Sequence, residues 1–415
     1  MDDDCSDRGH LKVEQDERPA GWRAYSGRSL PPNVRALGLV SFLQDVASEM
    51  VYPLLPGFLA LLGGGAVALG AMESAAEGVL ALVKGWAGRA SDRAAKRKPF
   101  VLWGYGLSAA ARPLLALAAV PWHVVVLRSG DRFAKGLRTA PRDALIADST
   151  AEEQRGFAFS YHRGLDHLGA AVGPLLAAGV LALAPGQPRL VFALATVPAL
   201  AGVWVVWRRV REPEQPQRVD AAPTTVAGRA SLPRTLRAPL LAVFLFGLGN
   251  ASDAFLLLRA SQLGMGALGL TLLWSAFHVV KFASSAPSGR LVDRLGPGRP
   301  LLVGWTLYAA VYAGFAYANG IAALLALLAV YALYYGLTEG AERTLVTALA
   351  GDAGQGTALG AYHLASGAGL FLASLLFGVV WERASARAAF LLGGGLALLA
   401  TALLAVVLAR SRSRD

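Results

Sequence analysis

Residues 88–97 read Gly88-Arg-Ala90-Ser-Asp92-Arg93-Ala-Ala95-Lys96-Arg97, and residues 289–296 read Gly289-Arg-Leu291-Val-Asp293-Arg294-Leu-Gly296. The shared pattern Gly-x-x-x-Asp-Arg stands 201 positions apart, and so does a second, unrelated pair, Tyr161-His162 and Tyr362-His363. One match is within reach of chance, but two in the same register mark a tandem repeat. Each copy of the first pattern ends an apolar stretch of about twenty residues, long enough to cross a hydrocarbon core of about 30 Å.

Outward from these anchors, twelve apolar segments begin near Asn33, Ala66, Phe100, Val120, Gly156, Leu190, Pro239, Ala267, Leu301, Ile321, Thr357 and Ala386. The composition agrees: the 415 residues are 55% hydrophobic and only 16% charged, against about 25% charge in an average soluble domain. Mean hydropathy is +0.46. These values exclude a soluble globular enzyme and predict an all-α membrane protein of twelve transmembrane helices in two parallel six-helix repeats. The expected organisation is a tail over 1–32, a bundle over 33–209, a Pro- and Arg-rich linker over 210–237, a second bundle over 238–410 and a tail over 411–415. No basic n-region or apolar h-region precedes the first segment, so the acidic N-terminal stretch is expected to be a cytoplasmic tail without a signal peptide.

The even-numbered connections between segments carry 19 Lys and Arg and the odd-numbered ones 3. The positive-inside rule then places both termini in the cytoplasm. The net charge of +11 is spread over these connections rather than gathered on a soluble basic face, so no nucleic-acid partner is expected. Cys5 is the single cysteine, which excludes a disulfide framework and a Cys metal cluster. No phosphate-binding loop, nucleophile elbow or zinc-binding helix motif is present, so neither an enzyme nor a cofactor is expected.

On these motifs and this topology the sequence resembles the major facilitator superfamily, from about Asn33 to Arg410. In that family the loop between spans two and three follows G-x-L-a-D-R-x-G-R-K; here Ala95 replaces the second Gly, and the second copy keeps Gly296 but lacks the basic pair. The resemblance implies gating roles for Gly88, Asp92, Arg93, Lys96, Arg97, Gly289, Asp293 and Arg294. Alternatively, Lys96, Arg97 and Lys98 only hold orientation against anionic lipid. Gly169-Ala-Ala-Val-Gly173-Pro174 resembles an element of the family's proton-coupled exporters, with Ala177 where a last Gly stands. Small residues at that spacing let helices approach closely. The run Lys135 to Asp148 is similar to one found in prokaryotic permeases linked to drug, nickel or iron handling. The resemblance further implies two halves rocking around a midplane cavity, in a monomer of the bacterial inner membrane.

Ionisable residues at membrane depth are functional candidates by default. Asp45 and Glu49, and Glu73 and Glu77, are spaced i, i+4, so each pair is expected on one helix face. Four carboxylates close together cannot all ionise cheaply, the condition a proton-coupling site requires; Glu77 and Asp45 are the favoured carriers. The alternative is that each is a fixed partner for Arg112, Arg128 or Arg132. Asp131 and Arg132 in span four, with the opposite-sign ladder of span five, are expected to be structural or gating. Asn250, Asp253, His278, Lys281, Tyr331, Tyr334 and Tyr335 form the candidate substrate-binding set, since tyrosines hold cations by their ring faces and Asp253 offsets positive charge. The expected function is export of a small amphipathic or cationic compound by proton antiport. A divalent-metal exporter, a proton-coupled importer of a nutrient and a non-transporting receptor remain open.

Overall fold

The computed structural model describes residues 30–94, 96–151, 154–212, 234–349 and 355–412. Cys5, most of the expected N-terminal tail, residues 213–233 of the expected linker and the last three residues lie outside the described residues. The first half runs through α1 (Pro32–Val51), a 3-10 turn (Tyr52–Leu54), α2 (Leu55–Leu61), α3 (Ala66–Arg93), α4 (Lys98–Ala116), α5 (Pro121–Asp148), α6 (Arg155–Leu183), α7 (Pro188–Leu194) and α8 (Thr196–Arg209). The second runs through α9 (Arg234–Gly249), α10 (Ala254–Gln262), α11 (Ala267–Leu295), α12 (Gly298–Tyr317), α13 (Ile321–Ala348), α14 (Gln355–Arg383) and α15 (Ala386–Arg412). With α1–α2, α7–α8 and α9–α10 each forming one broken span, the helices among the described residues make twelve spans, starting close to the expected positions.

Local sequence explains the breaks and ends. Pro32, Pro121 and Pro188 open α1, α5 and α7, where a missing N–H costs nothing. Gly63 after α2 and Gly264 after α10 take φ of +85° and +94°, a left-handed conformation that Gly alone adopts freely. These two glycines stand 201 positions apart, as do Tyr52 and Asp253 at the interruptions of spans one and seven.

The repeat persists in the packing. In the first half α1 packs on α6 and α8, α3 on α5, and α4 on α5 and α8. In the second, α9 packs on α14 and α15, α11 on α13, and α12 on α13 and α15. The halves meet where α3 lies against α14 and α6 against α11, the same contact exchanged by the pseudo-twofold relation. Their interiors differ. Arg112, Arg128, Arg138, Glu73 and His162 are buried in the first half, whereas the second is filled by Trp305, Tyr308, Tyr312, Phe315, Tyr331 and other rings.

Seven helical stretches among the described residues are long and apolar enough by composition to cross a membrane, and Ala267–Lys281 and Ile321–Tyr335 are shorter apolar helices. The span formed by α5 escapes that criterion because it carries Arg128, Asp131, Arg132 and Lys135, which face the protein interior rather than lipid.

The Gly169/Gly173 spacing brings α6 onto α1. A Cβ at Gly173 would lie 2.5 Å from the Val46 carbonyl oxygen, and one at Gly169 2.6 Å from that of Phe42. We therefore expect Gly173→Val to force the helices apart and lower stability by about 1–3 kcal/mol, the usual cost of overpacking. Thermal unfolding of the purified variant measures this; an unchanged midpoint would refute the close-packing role.

Candidate functional site

Span one tightens into a 3-10 turn at Tyr52–Leu54 and span seven loses its helix over Asn250–Asp253, nearly corresponding positions of the two repeats, and such paired interruptions point to the binding site in transporters built from repeats. The freed backbone of span seven finds new partners: Ser374 Oγ accepts from the Ser252 amide at 3.1 Å, and Tyr308 Oη donates to the Gly249 carbonyl at 3.0 Å. Around these breaks lies a cavity of about 240 Å³ between the halves. Its acidic lining is Glu49, Glu73, Glu77 and Asp253; facing them are Arg132 and His278, with Tyr52, Trp274, Tyr335 and Asn250 among the remaining walls.

Each acid has its own surroundings. Glu73 accepts from Ser252 Oγ across the half boundary at 2.7 Å and lies 3.8 Å from Arg128 Nε. Ser252 Oγ is also 3.1 Å from Tyr52 Oη, and the Tyr52 ring carries the Arg128 guanidinium 5.0 Å from its centroid. Glu49 accepts from Trp274 Nε1 at 2.8 Å, with His278 Nε2 4.0 Å away. Asp253 accepts from Tyr331 Oη at 2.7 Å and Tyr335 Oη at 2.8 Å. Lys281 Nζ sits 3.6 Å from the centroid of the Tyr335 ring. Glu77 lines the cavity together with Arg132 and makes no ion pair within 4 Å among the described residues.

The structure thus gathers Glu49, Glu73, Glu77, Asn250, Asp253, His278 and Tyr335 at one cavity. Asp45 is not among its lining residues: like Glu49 it lies on the α6 side of α1, where a Cβ on Gly169 would approach its own Cβ to 3.0 Å, but it stands one turn farther toward the basic end. Tyr331 reaches the site through Asp253, while Tyr334 packs among Phe246, Tyr308 and Tyr331, 3.5 Å from Asn250 Nδ2. Asp131 turns away from the cavity to accept from Ser108 Oγ and to face Arg128 at 3.7 Å, whereas its neighbour Arg132 lines it.

Of the loop candidates, Arg97 pairs with Asp148 at the end of α5, a contact within the first half, and Gly88 packs against Ala140 of the same half. Arg93, Lys96 and Arg294 are exposed. The side chains of Asp92 and Asp293, and the surroundings of Gly289, lie outside the described residues. Pro174 lies inside α6.

Sequence reasoning missed Tyr52, Ser252, Trp274 and Ser374, which are neutral and gave no charge signal at membrane depth. It also missed Glu342 of α13, which accepts from Trp305 Nε1 at 3.0 Å and Tyr362 Oη at 2.6 Å. The available signal was Tyr362 itself, one of the two repeat anchors.

The arrangement can exchange charges. Carboxylates outnumber fixed cations around one small cavity, so a cation or protons can offset them in turn.

A family model described as Major Facilitator Superfamily matches residues 37–374 and again 240–415. The chain is 31% identical over 365 residues to an uncharacterized MFS-type transporter of Methanocaldococcus jannaschii, covering 86% of this chain and 90% of that one. It is 28% identical over 255 residues to an uncharacterized protein of Mycobacterium tuberculosis, covering 61% and 60%. Among solved structures, the nucleoside transporter NupG superposes with a TM-score of 0.75 at 14% identity, covering 90% of this chain and 98% of that one. A bacterial homolog of the human lysosomal transporter Spinster, inward-facing and occupied, gives 0.71 at 14% identity over 90% and 96%.

Proposed function

This chain belongs to the major facilitator superfamily, and from that premise we propose that it exports a small cationic or amphipathic compound in exchange for protons. It is a membrane transporter of the secondary type and not an enzyme. The observation that carries the finer reading is the acidic lining of the central cavity, Glu49, Glu73, Glu77 and Asp253 against Arg132. Ionised carboxylates in so confined a space repel one another and attract a counter-charge. A cation and protons compete for them, and a site that holds one or the other but not both is an exchanger. Tyr52, Trp274 and Tyr335 supply ring faces for an organic cation. The volume, just under the roughly 300 Å³ where ligand pockets begin, suits a small compound.

Conformation supports the same cycle. The described polar contacts between the halves, Tyr52 and Glu73 with Ser252, Glu49 with Trp274, Ser275 Oγ with the Ala171 carbonyl and the Val67 amide with Glu382, lie from the middle of the spans toward the ends away from the basic connections. With those connections in the cytoplasm, this is a state closed to the outside. The Glu382 carboxylate accepts from the Val67 amide at 2.8 Å, so one half caps the first turn of a helix in the other, where the helix dipole favours an anion. Export, rather than uptake, is favoured by the Gly169-to-Pro174 element. In this reading Gly169, Gly173 and Pro174 shape the α1–α6 contact, and the two bundles rock against each other.

Everted membrane vesicles with an imposed inside-acid gradient test the proposal. Organic cations should dissipate the gradient in vesicles containing the protein and not in vesicles without it. A gradient indifferent to organic cations but released by divalent metals would replace the substrate class, and indifference to both would overturn proton antiport.

A further inference from the structure

Outside the central cavity, a groove of about 1040 Å³ opens at the basic end of the first half, between α1, α6 and the end of α8. Its rim holds Arg35, Arg208, Arg209 and Arg211. No acidic residue lines it, and among the described residues none of these four guanidiniums makes an ion pair; Arg208 lies 5.3 Å from the centroid of the Trp207 ring. The nearest acid in sequence, Glu212, is engaged elsewhere, accepting from the Lys98 amide at 2.5 Å.

The rim is held in place. Asn33 Oδ1 accepts from the Arg211 amide at 2.9 Å, and its Nδ2 donates to the Arg211 carbonyl at 2.8 Å and to Ser149 Oγ at 3.0 Å. This clasp fixes the chain after α8 against the start of α1.

Below the rim the groove turns apolar in register. Arg35, Leu39 and Phe42 follow one another at i, i+4 and i+7 along α1, and Tyr161, Leu165 and Leu168 do so along α6; all six line the groove. Such spacing puts each set on one helix face. The floor is tight, since a Cβ on Gly38 would come within 2.7 Å of Leu165 Cδ1. Leu39 and Leu168 remain 36% and 51% exposed, an apolar surface that the protein leaves uncovered. From Pro31 to Phe42 the groove extends roughly 16 Å at about 1.5 Å per residue.

We propose that this groove is a binding site for one acidic phospholipid of the cytoplasmic leaflet. The phosphate sits among Arg35, Arg209 and Arg211, whose planar forks match its oxygens, and an acyl chain runs down the Leu39–Phe42 and Leu165–Leu168 faces. Basic pockets beside membrane helices recognise acidic headgroups in this way. The continuous apolar wall selects a lipid over a free anion. Both helices belong to one half, so the lipid would stay with that half as the other moves.

The test is lipid retention by the full-length protein. It is purified from vesicles of equal phosphatidylglycerol and phosphatidylcholine and examined by native mass spectrometry. The wild type is expected to retain phosphatidylglycerol preferentially, and excess inorganic phosphate should leave the ratio unchanged. The triple variant Arg35→Gln, Arg209→Gln, Arg211→Gln should reduce the preference at least about tenfold, given what each basic residue contributes near an acidic headgroup. These side chains are exposed, so folding survives their loss. Leu168→Glu, which sets an acid against the chain, provides an independent variant and should lower retention too. Equal retention of both lipids by the wild type, displacement by inorganic phosphate, or a preference unchanged in both variants would overturn the site.

Discussion

Replacing Asp131 by alanine is expected to destabilise the protein by about 3–5 kcal/mol, the cost of removing one partner from a buried charge network. Asp131 accepts from Ser108 Oγ and faces Arg128 at 3.7 Å, with side-chain exposures of 17% and 7%. Ser108 ties in a second cation, since Arg112 Nη1 donates to its carbonyl at 2.6 Å. Arg112 and Arg128 are 5% and 7% exposed, and both have Nε atoms without a protein hydrogen-bond partner. Removing Asp131 takes from both buried guanidiniums a shared carboxylate, leaving Glu73 beside Arg128 and the more distant charge of Asp45 for Arg112. Asparagine at 131 keeps an acceptor for Ser108 and isolates the loss of charge. Adding Arg112→Met to Asp131→Asn removes the surplus cation and should recover part of the stability. Thermal unfolding in detergent, or the yield of monodisperse protein, measures each step. If Asp131→Ala unfolds within a degree of the wild type while transport fails, the residue is a moving gate and not a scaffold.

The architecture was legible because membrane crossing writes itself in apolar length, and a tandem repeat writes itself twice. The site was legible mostly where it is charged, with Asn250 and Tyr335 the neutral exceptions. Glu73 and Glu77, four apart, do share the cavity, as helical periodicity requires. Asp45 and Glu49 have the same spacing, yet only Glu49 lines it. Four residues turn a helix by about 400°, so the second member is rotated about 40° from the first. The α6 glycines meet both acids alike, Gly169 at the Asp45 Cβ and Gly173 at the Glu49 Cβ, so depth separates the two fates: Asp45 stands one turn, about 6 Å, farther toward the basic end than Glu49. Likewise Tyr331 and Tyr335 reach Asp253 at i, i+4, and the intervening Tyr334 falls to the aromatic interior. The interruptions at Tyr52–Leu54 and Asn250–Asp253 carried a weak signal in Pro53 and in the polar triplet at 250, 252 and 253. Their equivalence becomes evident only when the repeat offset is applied to them. The bridge from Ser252 to Glu73 joins residues 179 apart, and no local pattern encodes such a contact.

Glu77→Gln is expected to abolish proton-coupled transport, to the background of vesicles lacking the protein, while leaving the fold intact. Among the three glutamates of the cavity, Glu73 is engaged by Ser252 and lies 3.8 Å from Arg128, and Glu49 is held by Trp274. Glu77 lines the same space as Arg132 and makes no ion pair within 4 Å among the described residues. A carboxylate held by several donors is committed to its charged form, so the least committed one is best placed to take and release a proton. Glutamine keeps the shape and hydrogen-bonding capacity but cannot titrate. Substrate counterflow, which exchanges labelled for unlabelled compound without net proton movement, should therefore persist within about threefold, while gradient-driven transport disappears. Asp253→Asn should divide the two readouts differently. It strips the negative charge from the Tyr331–Tyr335 cradle and is expected to weaken cation affinity, so counterflow fails alongside active transport at low substrate and both return at high substrate. Gradient-driven transport at the wild-type rate in Glu77→Gln would remove this residue from the coupling step, and the same result in Asp45→Asn as well would leave proton exchange to Glu49, Glu73 or Asp253.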